Sequence, residues 1–163
     1  SHLPREDHIA VHWGMAMAVY PFWGAVAAHV GRLLRLQGTA AASQVQRRVR
    51  EQHGERDTVS RAARRVLRSF VDWEVLKETS EKGIYTAGLS LAMAQVEVIA
   101  WLAEAFLHAH QGNSVALRAV LDATSLFPFR LSPVSAAHLV AVSGRLDVLR
   151  HGLDQDLIML RSR

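Results

Sequence analysis

Cysteine is missing altogether from the 163 residues, which excludes disulfide scaffolds, cysteine-ligated zinc modules and thiol nucleophiles. Proline occurs 4 times and glycine 10 times, too few for a fibrous or low-complexity chain. Charged residues make up only 21% and hydrophobic residues 50%, so the chain has the material for a core. Its length fits one domain, or two small ones. Also missing are a glycine-rich phosphate loop, a GxSxG elbow, an HExxH pair and any carboxylate cluster dense enough to hold a catalytic metal. The expectation is therefore a protein that is not an enzyme and uses no cofactor and no metal. His108 and His110, two residues apart, fall on different faces of a helix, and His8 with His12 lacks a nearby third ligand. Asp154 and Asp156 read as solvated or capping residues. Trp13, Trp23, Trp73 and Trp101 lie among apolar neighbours and read as core anchors.

Lysine is nearly absent as well: the 19 cationic residues are 17 arginines and 2 lysines. Their distribution is uneven. Residues 44–68 hold 8 arginines against 3 acids, a net +5 that exceeds the +4 of the whole chain. The eight are Arg47, Arg48, Arg50, Arg56, Arg61, Arg64, Arg65 and Arg68. Residues 69–85 carry 2 cations against 4 acids, and residues 86–163 carry 6 of each. Clustering of this kind marks a surface for a polyanion better than a general preference for arginine does.

Residues 9–31 contain no Asp, Glu, Lys or Arg, a length that spans a bilayer. Ala, Gly and Val dominate the stretch, His12 and His29 interrupt it, and Pro21 breaks it, so a membrane span is not expected. Glu6 and Asp7 directly after Arg5 do not suit a signal peptide. The expectation is a cytoplasmic protein with no membrane partner.

The hydrophobic periodicity predicts a mainly α protein. Pro21 opens a helix to about Gln37, with Phe22, Trp23, Val26, Val30, Leu33 and Leu34 at helical spacing. Gly38 ends it. Thr39 is then placed to cap a second helix through His53, striped by Ala41, Ala42, Val45 and Val49. After Gly54, Asp57 or Thr58 caps a third helix in which Val59, Ala62, Ala63, Val66, Leu67, Phe70 and Val71 repeat at i, i+3, i+4 and i+7. Arg61, Arg64, Arg65 and Arg68 share its opposite face. Val75–Lys77 and Ile84–Thr86 flank Gly83 as a β-hairpin.

Residues 22–86, three helices followed at once by a hairpin, resemble a winged helix-turn-helix DNA-binding domain. The helices are FWGAVAAHVGRLLRLQG, TAAASQVQRRVREQHG and DTVSRAARRVLRSFVDW, and VLKETSEKGIYT stands for the wing. The resemblance implies a recognition helix in the major groove of double-stranded DNA, with Thr58, Ser60, Arg61, Arg64 and Arg65 facing the bases. It implies backbone contacts from Arg47, Arg48, Arg50 and Arg68, and from Lys77 and Lys82 of the wing. Two departures accompany it. The wing also carries Glu78 and Glu81, and the strand normally found between the first two helices shrinks to Gln37-Gly38-Thr39. The competing reading is a protein-interaction or scaffold subunit that uses the same fold without touching DNA.

The domain organisation expected is an N-terminal arm or short helix over 1–21, the winged helix over 22–88 and a C-terminal helical region over 89–163. Within that region Ser90 to about His110 reads as one long apolar helix, Ser114–Thr124 as another, Leu126–Leu131 as extended, and Ser132-Pro133 as the start of a helix ending near Gly144. Residues 145–151 read as a short helix, Gly152 as a stop, and Leu157–Leu160 as a strand or helix. The region completes the core, pairs subunits in a homodimer or larger assembly, or forms a second, degraded helix-turn-helix unit. Its balanced charge argues against a nucleic-acid surface there.

Overall fold

The computed structural model describes residues 3–150, 152 and 155–162. In chain order the elements are α1 (Arg5–Val19), α2 (Pro21–Gln37), β1 (Thr39–Ala41), α3 (Ala42–His53), α4 (Asp57–Asp72), β2 (Leu76–Glu78) and β3 (Ile84–Ala87). They continue as β4 (Leu91–Met93), α5 (Val96–Ala109), β5 (Val115–Ala116), α6 (Leu117–Leu121), a 3-10 turn (Thr124–Leu126), β6 (Phe129–Leu131), α7 (Ala136–Val142), β7 (Leu146–Arg150) and β8 (Asp156–Leu160). The described residues are mainly α, with three small sheets between the helices. No single helix among the described residues is long and apolar enough to cross a membrane.

Two compact units divide the chain: Phe22–Leu91 with Thr124–Pro128, and Ser1–Pro21 with Ala92–Ala123 and Phe129–Arg163. In the first, α2, α3 and α4 bury Trp23, Val26, Val30, Val45, Val49, Ala63, Val66, Leu67 and Phe70 around one core. The positions repeat every three or four residues on each helix, so each contributes one apolar stripe. Aromatic rings interlock at its centre: Phe70 meets Trp23 edge-on at 5.3 Å and Phe127 edge-on at 5.4 Å between centroids. Such pairs add about 0.5–1.5 kcal/mol beyond the area they bury. The sheet of this unit has the order β1-β3-β2, all antiparallel.

That sheet corrects the start of the second helix. Thr39–Ala41 is a strand registered as Thr39↔Thr86 and Ala41↔Ile84, not the capped first turn of a helix, and α3 begins only at Ala42. Pairing with β3 supplies the backbone partners that a three-residue Ala-rich segment has no intrinsic tendency to seek. Gly38, at φ 77°, turns the chain into it, and the Gln44 side chain accepts a hydrogen bond from the Ala41 amide at 3.1 Å. The expected cap of the third helix is also different: Arg56 occupies that position without a side-chain bond.

In the second unit α1 and α5 pack together through Ile9, Ala10, Trp13 and Met17 on one side and Ile99, Leu102 and Ala103 on the other. Residues 5–19 are thus a full helix built into a core rather than an arm. Gly14 permits the close approach, because a Cβ there would collide with the indole Nε1 of Trp101, which donates to the Ala10 carbonyl at 3.1 Å. Gly14→Ala is expected to cost about 1–3 kcal/mol by overpacking, read as a lowered thermal midpoint. A melting curve unchanged from wild type would contradict this packing.

Three C-terminal expectations are overturned. The helix expected from Ser90 is the strand β4 followed by α5 from Val96; the helix over 114–124 is β5, the five-residue α6 and a 3-10 turn; and the short helix over 145–151 is the strand β7. Asp154 lies outside the described residues, whereas Asp156 in β8 reaches Arg150 at 3.4 Å. The β5-β8-β7 sheet is antiparallel throughout. Apart from the 3-10 turn and β6, which intervene between α6 and α7, the order α5-β5-α6-α7-β7-β8, with its last strand central in the sheet, parallels the order α2-β1-α3-α4-β2-β3 of the first unit.

Candidate nucleic-acid interface

The basic residues are organised by α3, α4 and the short link between them. Gly54 takes the C-cap of α3, and α4 starts at Asp57, so Gly54, Glu55 and Arg56 alone link the two helices. On α4 the buried face carries Ala63, Val66, Leu67 and Phe70, which leaves Arg61, Arg64, Arg65 and Arg68 exposed on the other side. Burial of the first set fixes the direction of the second, since positions i, i+3, i+4 and i+7 share a face.

The eight arginines divide by their partners. Arg47 and Arg48 both reach Glu51, at 3.5 and 3.8 Å. Arg68 contacts Asp72 at 3.2 Å and Glu78 at 3.8 Å. Arg50 donates to the Ser60 hydroxyl at 3.3 Å, which draws α3 and α4 together at the start of α4. The side chains of Arg56, Arg61, Arg64 and Arg65 have no hydrogen-bond or ion-pair partner among the described residues. The ion pairs are exposed, at 52% or more of each side chain, so each contributes about 0–1 kcal/mol.

Thr58 is exposed near the start of α4, and Ser60 is half-buried under Arg50. Lys77 and Lys82 are exposed. Leu76 and Glu78 share one face of β2, and Glu78 reaches Arg68, so that face is turned to α4 and Lys77 points the opposite way. The hairpin thus offers α4 a carboxylate rather than an amine. Arg56, absent from the expected contact set, stands exposed at the N-cap of α4; its place just before the helix start is the signal that marks it.

Elsewhere polar chemistry is sparse. Among the described residues no group of three His, Asp or Glu is placed to hold a metal ion. Glu104, buried on α5, is paired with Arg145 at 3.1 Å and lies 3.8 Å from His108. The helix ends at Ala109, so His110 leaves the helical path and stacks on Phe106 at 5.7 Å. Trp13 and Trp23 are buried core anchors, whereas Trp73 and Trp101 are only partly covered.

No protein-family model, no curated protein sequence and no solved structure matches the chain.

Proposed function

We propose that the chain is a non-enzymatic DNA-binding protein in which residues 22–88 act as a winged helix and α4 is the recognition helix for double-stranded DNA. The observation that carries this reading is the row of unpartnered, exposed arginines Arg61, Arg64 and Arg65 on α4, directly opposite a fully buried apolar face. Arginine pairs bidentately with guanine edges and with phosphate, and keeps its charge at any working pH. The helix and strand order, with the sheet order β1-β3-β2, supports the winged-helix assignment. The repeated order in the second unit supports a degraded second copy. Its α7, AAHLVAV, carries no Arg or Lys, and so that copy serves structure or subunit pairing instead of DNA.

A salt titration tests the reading. With about 5 phosphates neutralised, log affinity against log salt falls with a slope of about −4.5 on duplex DNA. A slope near zero, or no binding at low salt, removes DNA from the account and leaves the interaction-module reading, which the ion pairs tying up Arg47, Arg48 and Arg68 favour.

The two helices are expected to differ in what they contribute. Arg47→Ala or Arg50→Ala weakens all duplexes alike, while Arg61→Ala or Arg64→Ala also flattens sequence preference, because α4 alone reaches base edges. Competition binding across a pool of duplexes measures both effects, and identical profiles for the two pairs would refute the division.

A further inference from the structure

The hairpin that follows α4 is charge-balanced, Lys77 and Lys82 against Glu78 and Glu81, where a DNA-contacting wing would be basic. Of its charged side chains, the one aimed at α4 is Glu78, and it meets Arg68, whose guanidinium is held from the other side by Asp72 one helical turn on. Arg68 belongs by spacing to the same face as Arg61, Arg64 and Arg65, yet it alone of the four has carboxylate partners. From this we infer that Asp72 and Glu78 hold Arg68 away from the DNA backbone and so lower the affinity of the α4 interface. The inference rests on the DNA-binding reading and deepens it.

The energetics are those of competition. A phosphate approaching Arg68 must displace two carboxylates and then sits beside them, so the approach meets both a lost pair and a like-charge repulsion. Neither effect reaches Arg61 or Arg64, about two turns and one turn nearer the start of the helix and without acidic partners among the described residues. Glu81 provides an internal comparison. It lies on the same hairpin, is exposed, and makes no ion pair among the described residues, so neutralising it changes the charge of the wing without releasing an arginine.

The experiment uses the full chain, a mixed-sequence duplex and fluorescence anisotropy at several salt concentrations. Asp72→Asn with Glu78→Gln is expected to tighten binding about fivefold near 0.1 M salt and to steepen the salt slope by about 0.9, one added phosphate contact. The same pair of changes made on Arg68→Ala is expected to alter affinity less than twofold, and Glu81→Gln alone likewise, which isolates the contact from the general charge. Equal tightening with and without Arg68, or an unchanged slope, overturns the inference while leaving DNA binding in place. A wild-type chain that fails to bind duplex overturns the DNA-binding reading itself, and the inference with it.

Discussion

Replacing Arg61, Arg64 and Arg65 together by alanine is expected to lower duplex affinity about a hundredfold near 0.1 M salt, three contacts being lost at about fivefold each. The three side chains are exposed and partnerless, so their removal leaves the apolar face of α4 untouched and the fold intact. Circular dichroism of the triple variant should therefore overlay the wild type. The salt slope should become shallower by about 2.7, which separates lost charge contacts from a partly unfolded sample. A variant that keeps its affinity within threefold would move the DNA surface off α4 entirely.

The second large effect is one of stability. Phe70 is completely buried at the junction of α4 with Trp23 and Phe127, and Phe70→Ala is expected to cost about 3–5 kcal/mol. A loss of that size is a large part of the 5–15 kcal/mol by which a domain is ordinarily stable, so the midpoint of denaturation falls steeply. Chemical denaturation followed by tryptophan fluorescence measures it, because Trp23 and Trp73 report on the same cluster. A cost below 1 kcal/mol would mean that the ring cluster does not hold α4 in place. The alanine variants at Arg61, Arg64 and Arg65 should show no such loss, which gives the two predictions opposite signatures.

Amphipathic periods made α2, α3 and α4 legible in the sequence, since long helices with one apolar stripe announce themselves by spacing alone. The exposed face of α4 followed directly from the buried one. Strand β1 was not legible, because Thr39-Ala40-Ala41 has no β preference of its own and becomes extended only by pairing with Thr86, Tyr85 and Ile84, more than forty residues away. The same holds for β4, whose Leu-Ala-Met composition reads as helix. Strand β7 does not alternate, since Leu146 is buried and the four residues after it are exposed, so its sequence gives no period-2 signal. Within the candidate site, the pairing of Arg47 and Arg48 with Glu51 was available from helical spacing. The contact of Arg68 with Glu78 was not, because it depends on how the hairpin folds back.

The segment Thr124–Pro128 has a further bearing on how the protein can be taken apart. It lies between α6 and α7 of the repeated order, yet its residues belong to the 22–91 unit, where Phe127 covers Phe70 and the Thr124 carbonyl lies against Gly31 so closely that a Cβ there would collide with it. The chain thus begins in the second unit, runs through the first, re-enters the second, and returns to the first with five residues before finishing in the second. Cutting after residue 91 does not release an intact module: the excised piece keeps its helices and sheet but loses one wall of its aromatic centre. In genetic terms the protein resists being shortened, and a stop codon anywhere before residue 128 damages the part already made.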